Sequence, residues 1–204
     1  MKGKFITFEG SEGCGKSTQS RLLYEYLKNK GLKVIYLREP GGTAVGEKIR
    51  KILLDNGNTV ISAICEMFLY MAARAQLVSA VIKPALKKGK IVICDRFLDS
   101  TLAYQGYGLG ADIKVIRYIG RIATENIQPD LTIFLDLPIK DGLKHRRLKE
   151  DRIESRSLRY HRRVRQGYLL LAAKEPRRIK IVKVSQDKDK TQAKIRALVE
   201  HYVF

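Results

Sequence analysis

The run Gly10-Ser11-Glu12-Gly13-Cys14-Gly15-Lys16-Ser17 near the amino terminus has the spacing G-x-x-x-x-G-K-S. An apolar run at residues 5–8 precedes it, and residues 19–27 follow with the apolar spacing of a helix. Between a strand and a helix, such glycines let several backbone N–H groups converge on one anion. Lys16 adds a mobile positive charge, and the Ser17 hydroxyl suits Mg²⁺. The pattern predicts a P-loop that binds a nucleoside triphosphate, and the alternative is an ordinary glycine turn.

The rest of the chain alternates short apolar runs with helical patterns. Because the runs are almost continuously apolar, they indicate strands that are buried on both faces. Alternation of strands and helices predicts an α/β chain, a three-layer P-loop fold with a five-stranded parallel sheet flanked by helices and a short lid. The predicted strands are residues 5–8, 34–37, 91–94, 131–135 and 179–184. Further helices are predicted at residues 45–54, 61–88 with a bend at Pro84, 113–125, 139–149, 158–174 and 190–202.

At 204 residues the chain is expected to form a single domain, residues 1–204. Its 40 Lys and Arg against 21 Asp and Glu permit contact with nucleic acid, polyanionic small substrates or a broadly basic surface. Because no basic stripe interleaved with aromatics is present, we expect no specific nucleic-acid partner. Residues 60–81 are apolar, but Glu66, Arg74 and Gln76 interrupt them, so we expect a buried helix and no membrane partner. Three cysteines without C-x-x-C spacing favour a cytoplasmic location.

Polar segments follow the predicted strands at their carboxyl ends, where ligands collect in parallel sheets. The second strand leads into residues 38–43, Arg-Glu-Pro-Gly-Gly-Thr, and the third ends in Asp95-Arg96. Asp95 suits a Mg²⁺-bound water and Arg96 a second phosphate, whereas the alternative for this pair is a surface salt bridge. We expect these segments to converge over one cleft.

These segments, in this order and spacing, resemble the thymidylate kinase family of nucleoside-monophosphate kinases. The other matching segments are Ala72-Ala73-Arg74, Tyr104-Gln105-Gly106, Pro129-Asp130-Leu131-Thr132 and Asp151-Arg152-Ile153-Glu154. The resemblance implies phosphorylation of dTMP to dTDP with ATP as donor and Mg²⁺ as cofactor, in a homodimer. Rival functions are a kinase for another monophosphate or a nucleoside, a nucleic-acid-binding ATPase, and a nucleotide-binding regulatory module without turnover.

The resemblance also implies the site residues. It assigns ATP to Gly10, Ser11, Glu12, Gly13, Cys14, Gly15, Lys16, Ser17 and Thr18, and Mg²⁺ to Ser17 and, through water, Asp95. It assigns dTMP to Glu12, Arg38, Glu39, Arg50, Tyr70, Arg74, Arg96, Thr101, Tyr104 and Gln105.

Within that set each residue type has an implied role. Tyr70 stacks on thymine, and Arg74 reads the base edge with help from Thr101 and Gln105. Tyr104 packs beneath the sugar and leaves no room for a 2′-hydroxyl, while Glu12 reaches the 3′-hydroxyl. Arg96, Arg38 and Arg50 surround the acceptor phosphate, and Glu39 orders that shell. From burial alone Arg74 needs a partner, and a ligand and a carboxylate are both candidates.

Family members carry an arginine either in the P-loop or on the lid, and this P-loop has none. The resemblance therefore implies a lid, at about residues 144–157, that supplies Arg147 and Arg152 as catalytic residues beside Lys16 and Arg96. A solvated helix face is expected for Arg156, Arg159, Arg162 and Arg163. Because Cys14 lies at a helix start, its thiol is expected to have a lowered pKa.

Overall fold

The computed structural model of the chain describes residues 3–58, 60–144 and 151–203. The strands are β1 Lys4–Glu9, β2 Val34–Arg38, β3 Ile91–Asp95, β4 Leu131–Asp136 and β5 Ile179–Lys183. In the described part of the chain they form one five-stranded sheet with the order β2-β3-β1-β4-β5, and every pairing is parallel. Each predicted strand is found, and its ends differ by one residue at most from the prediction.

The helices are α1 Lys16–Asn29, α2 Ala44–Leu54, α3 Ala63–Leu77, α4 Lys83–Lys87, α5 Leu98–Thr101, α6 Ile113–Ala123, α7 Ile139–Lys144, α8 Leu158–Lys174 and α9 Lys188–Val203. A π-helical segment, Val78–Ile82, joins α3 to α4, and a second, Leu102–Gly108, follows α5. Side-chain oxygens cap several helix starts: Thr43 accepts from the Gly46 N–H and Ser157 from the Tyr160 N–H.

Helices cover both faces of the sheet, as the alternating pattern predicts. On one face Ile6 and Phe8 of β1 pack in a cluster with Leu23 of α1 and Ile195 of α9. On the other face, Phe5 packs in a cluster with residues of α3 and α4, while Phe134 of β4 stacks on Tyr168 of α8. The three central strands are therefore buried on both sides, and β2 and β5 form the edges.

The helical stretch Ala63–Lys87 departs from regular α-helix upstream of Pro84 and not at Pro84 itself. Pro84 lies in the first turn of α4, where its missing N–H does no harm. The wider π turn at Val78–Ile82 precedes it, so the chain adjusts upstream of the residue that cannot donate. By length and composition alone this helix could cross a membrane. Its Glu66 and Arg74, however, are buried inside the fold and ion-paired to other elements, as in the core helix of a globular protein.

Candidate active site

The carboxyl ends of three neighbouring strands meet at one edge of the sheet. Phe8 of β1 and Arg38 of β2 are both register partners of Asp95 in β3. The segments that follow these strands therefore lie next to one another: the P-loop after β1, residues 38–43 at the end of β2, and Arg96 after β3. A cleft of about 1490 Å³ lies over this edge. The expected convergence is confirmed.

Most of the residues that the sequence assigns to the site line this cleft. These are Glu12, Gly13, Cys14, Gly15, Lys16, Ser17, Thr18, Arg38, Glu39, Arg50, Tyr70, Asp95, Arg96, Thr101, Tyr104 and Gln105. Gly10 and Ser11 are buried beneath the loop, and Arg74 and Arg152 are buried behind the lining. Arg147 lies outside the described residues.

The side chain of Lys16 folds back onto the backbone of the P-loop. Lys16 is buried, and its Nζ donates to the Ser11 carbonyl at 2.8 Å and lies 3.7 Å from the Cys14 Sγ. Gly15, with φ 86°, precedes α1 in the left-handed conformation that glycine adopts readily. The Ser17 hydroxyl donates to Asp95 Oδ2 at 2.5 Å, while Asp95 Oδ1 is buried and has no hydrogen-bond partner among the described residues.

Two glycines, Gly13 and Gly142, bring the P-loop and helix α7 into backbone contact. A Cβ built on Gly13 would lie 1.9 Å from the carbonyl oxygen of Gly142. A Cβ built on Gly142 would lie 2.4 Å from the carbonyl oxygen of Glu12. Since neither obstacle is a flexible side chain, both positions need glycine.

Arg96 lies in the cleft between the P-loop and the segment that follows β3. Its φ of 72° is uncommon for a residue with a side chain, and such backbone strain clusters at functional sites. The guanidinium donates to Glu12 Oε1 at 2.7 Å and to the Tyr104 hydroxyl at 3.0 Å. It also donates to the Gly10 carbonyl at 3.3 Å and to the Ser100 hydroxyl at 3.2 Å. These contacts hold one planar cation between the P-loop and the segment after β3.

Glu12 is ionised within this arrangement. Burial alone would raise its pKa, but the charges of Arg96 and Lys16 and a hydrogen bond from Tyr104 lower the pKa to about 2. The Tyr104 hydroxyl donates to Glu12 Oε1 at 2.7 Å. The same burial raises the pKa of Tyr104, so this hydroxyl keeps its proton.

Sequence reasoning missed a buried network directly behind Arg96. Glu9 accepts from the Ser100 hydroxyl at 2.6 Å, the Tyr168 hydroxyl at 2.8 Å and the Phe97 N–H at 2.8 Å. Burial, and then the charge of Asp99, raise the pKa of Glu9 to about 7. A carboxylate between an apolar strand and the P-loop was the available signal for Glu9, whereas nothing in its spacing marks Tyr168.

Arg74 has a carboxylate partner, the second of the two candidates that the sequence left open. Its side chain is 1% exposed and its Nη2 lies 2.7 Å from Glu39 Oε2. It also donates to the Thr101 hydroxyl and to the Phe97 carbonyl, both at 3.0 Å. The guanidinium therefore supports Thr101 and Glu39 from behind the cleft.

The cleft wall formed by residues of β2, α2 and α3 is more exposed to solvent than the region around Arg74. Arg38 pairs with Glu47 at 3.3 Å, and Arg50 donates to the Pro40 carbonyl at 3.0 Å. Tyr70 is half-buried, and burial raises the pKa of its hydroxyl, so the ring stays neutral. An aromatic face and two arginines thus border the same space.

The predicted phosphate contact of Arg152 is not supported. Its guanidinium donates to Glu66 Oε2 at 2.5 Å and to the Leu53 carbonyl at 2.9 Å, so its charge is satisfied inside the fold. Arg156 was expected on a solvated face, but it also pairs with Glu66, at 2.7 Å, and donates to the Tyr160 hydroxyl at 2.8 Å. A buried carboxylate far away in the sequence attracts both arginines. Arg159, Arg162 and Arg163 are exposed as expected.

The Cys14 prediction is wrong. The thiol is 1% exposed, and burial outweighs the neighbouring charges of Lys16 and Arg96 and raises its pKa. The far end of the cleft holds a further group that the sequence left unassigned: Leu137, Pro138, Val184, Ser185, Gln186 and Lys188. These residues follow β4 and β5 and border the P-loop on the side away from Arg96.

Together these features define a class. A P-loop faces arginines at the ends of the neighbouring strands across one large cleft, which fits a P-loop phosphotransferase that holds two anionic nucleotides end to end.

Known proteins similar to this chain identify its family. The thymidylate kinase family profile matches residues 8–195. The chain is 47% identical over 204 residues, with full coverage of both chains, to a thymidylate kinase of Thermoanaerobacter sp. (strain X514). It is 49% identical over 197 residues to that of Symbiobacterium thermophilum, covering 96% of this chain and 92% of the relative. A solved thymidylate kinase from Ehrlichia chaffeensis superposes with a TM-score of 0.81 at 33% identity, covering 98% and 99% of the two chains.

The chain belongs to the thymidylate kinase family. It is a kinase whose substrates are ATP and dTMP, and it phosphorylates dTMP to dTDP.

Proposed function

We propose that the two halves of the cleft divide this reaction between them. The P-loop and the residues after β4 and β5 bind ATP, and the segments after β2 and β3, together with α3, bind dTMP. The observation that carries the proposal is the position of Arg96, whose Nη2 contacts both Glu12 of the P-loop and Tyr104 of the segment after β3. A cation at that junction lies where the two phosphate groups meet.

On the donor side, Lys16 supplies the positive charge for the outer phosphates. It now donates to the Ser11 carbonyl, and a bound phosphate replaces that acceptor with a charged one. The remaining task is to place and neutralise two polyanions, because the second pKa of a phosphomonoester lies near 6 and the nucleophile is already ionised at neutral pH. We therefore assign no general base.

Ser17 and Asp95 fit Mg²⁺. Their oxygens are 2.5 Å apart, and in the part of the chain that the structure describes no group hydrogen-bonds to the buried Asp95 Oδ1. Hard oxygen donors of this kind are what Mg²⁺ binds, often through water. When bound, the ion neutralises charge on the triphosphate. We assign Ser17 of the P-loop as the residue that would ligate the ion and Asp95 of β3 as the residue that would orient a metal-bound water.

On the acceptor side, the phosphate is assigned to Arg96, Arg38 and Arg50, and the sugar to Glu12 and Tyr104. Ionised Glu12 accepts from the 3′-hydroxyl, and the Tyr104 ring fills the space of a 2′-hydroxyl. Tyr70 stacks on the base, and Thr101 and Gln105 meet its polar edge. Glu39 lines the cleft and orders the phosphate-binding arginines, and Arg74 supports this wall from behind. The contact of Arg74 with the base edge stays a prediction.

We assign residues 1–204 to one domain with a lid at about residues 144–157. Lys144, Asp151 and Glu154, which belong to that segment, line the cleft. A lid there would cover the phosphates and exclude water. The assignment of Arg147 as the catalytic lid residue stays a prediction.

A homodimer and a cytoplasmic location are also proposed. Large apolar side chains are exposed on α3 and α6, which contact each other: Phe68 is 52% exposed and Tyr118 is 69% exposed. Covering such a face with a second copy would remove it from water. Light scattering should then give twice the chain mass, and F68K should reduce it to one chain mass.

The function is tested by incubating the protein with Mg-ATP and dTMP, dUMP, UMP, CMP, AMP or thymidine and separating the products. We expect dTDP from dTMP as the principal product. A preference for another acceptor, or ATP hydrolysis that needs DNA or RNA, would contradict the proposal.

A further inference from the structure

The dTMP half of the cleft is backed by a buried carboxylate that has no assigned role. Glu66 of α3 is 0% exposed and does not line the cleft. Its Oε1 accepts from Gln105 Nε2 at 2.8 Å and from Arg156 Nη1 at 3.2 Å. Its Oε2 accepts from Arg152 at 2.5 Å and from Arg156 Nη2 at 2.7 Å. One carboxylate thus joins the cleft wall to the carboxyl-terminal end of the lid segment.

These contacts determine which end of the Gln105 amide is available. A guanidinium can only donate, so both oxygens of Glu66 act as acceptors in this network. An amide next to an acceptor must present its NH₂ group, since its carbonyl oxygen would be repelled. With Nε2 held by Glu66, the carbonyl oxygen is the polar atom that Gln105 can offer to the cleft that it lines.

The pyrimidine bases differ at the atom such an oxygen would meet. Thymine and uracil carry an N–H donor at N3, whereas cytosine carries an acceptor there. A site built to accept a hydrogen bond rejects a ligand that lacks the donor, because its buried polar atom is then left unpaired. A fixed amide carbonyl therefore favours thymine and uracil over cytosine.

We propose that Glu66 is a positioning residue for base selectivity: it fixes the Gln105 amide so that the site accepts pyrimidines with an N3–H and rejects cytosine. The inference rests on the proposed dTMP site. Arg152 and Arg156 take part by keeping both Glu66 oxygens in use as acceptors, which is a role in orientation and not in phosphate binding.

The test compares kcat/KM for dTMP, dUMP and dCMP with Mg-ATP in the wild type, E66Q, Q105M and E66Q/Q105M. A glutamine at position 66 can donate or accept, so the Gln105 amide becomes free to turn over. We expect E66Q to lower the dTMP-to-dCMP ratio by about 10-fold or more, mainly through KM, with dUMP following dTMP and the KM for ATP unchanged. In the Q105M background, E66Q should not change the ratio further.

D99N is the matched control. Asp99 is a buried carboxylate that pairs with Arg178 at 2.6 Å and does not line the cleft. The D99N variant should be less stable than the wild type, but its dTMP-to-dCMP ratio of kcat/KM should be unchanged. If E66Q does not fold, E66D keeps a charge for the arginines but withdraws it from Gln105, and its ratio should also fall.

An unchanged ratio in folded E66Q or E66D overturns the inference, and so does a shift that persists in the Q105M background. Wild-type protein that makes no dTDP would instead contradict the proposed function, so the two failures are distinguishable.

Discussion

Replacing Glu9 with glutamine tests whether the carboxyl group behind Arg96 titrates near neutral pH. Glu9 is fully buried and faces Asp99, Arg96 and the hydroxyls of Ser100 and Tyr168. Glutamine has nearly the same shape. Its carbonyl can keep the bond from the Phe97 N–H, and its NH₂ group can donate to the two hydroxyls, which are able to turn and accept.

The expected magnitude follows from the pKa difference. The folded-state pKa of Glu9 is about 7, against an ordinary value of 4.5. The folded state therefore holds the proton more tightly than the unfolded state. Stability from this group is complete below pH 4.5 and is lost as the pH rises through 7. At 1.36 kcal/mol per pKa unit, the loss approaches about 3 kcal/mol at pH 8, and E9Q removes it.

The assay is urea unfolding of the wild type and E9Q at pH 5, 6, 7 and 8. The chain contains no tryptophan, so far-UV circular dichroism is the suitable signal. We expect the stability of E9Q relative to the wild type to rise across this range by about 2–3 kcal/mol. E175Q is the control: because Arg178 and Arg117 outweigh burial and lower the pKa of Glu175, this group titrates below the assay range. The stability difference between E175Q and the wild type should therefore stay nearly constant from pH 5 to pH 8. A stability difference between E9Q and wild type that stays constant with pH would refute the reasoning.

Three further predictions concern the cleft. Y104A should raise the use of UMP relative to dUMP, measured as the ratio of kcat/KM values, and an unchanged ratio would remove Tyr104 as the guard against ribose. D95N should raise the Mg²⁺ concentration needed for half-maximal activity by about 10-fold or more while the protein still folds, and an unaltered Mg²⁺ requirement would argue against the ligand assignment. Glu12 stabilises the fold above pH 4.5 and loses that effect as the pH falls toward about 2. The free energy of unfolding of E12Q should therefore depend less on pH between those values than that of the wild type, and E12Q should raise the KM for dTMP. Equal acid sensitivity in both proteins would contradict the shifted pKa.

Local patterns predicted much of the fold. The β-branched runs give all five strands found in the described residues, and Leu158–Lys174 is a helix with the predicted ends. The segment Leu98–Gly108 was not predicted as helical, because two glycines and several polar residues obscure its period. Its helical form depends on Glu9, which accepts from backbone and side-chain groups at its start.

The parts of the site that are formed by residues adjacent in the sequence could be predicted. The P-loop and the Asp95-Arg96 pair could be read directly, since a strand end fixes where the next residue lies. The roles of Arg152 and Arg156 could not, because their partner Glu66 belongs to another helix. Cys14 was misjudged for a related reason: packing removed the solvent that a thiolate needs. Long-range burial decides these pairings, and no local pattern encodes it.

The backbone contact between Gly13 and Gly142 limits how this catalyst can evolve. Any side chain at position 13 would force α7 away at Gly142, so position 13 of the P-loop cannot carry an additional cation. Recruiting one there would take coordinated change in two distant parts of the chain. New phosphate contacts must therefore come from other positions around the cleft, where a substitution leaves this packed junction intact.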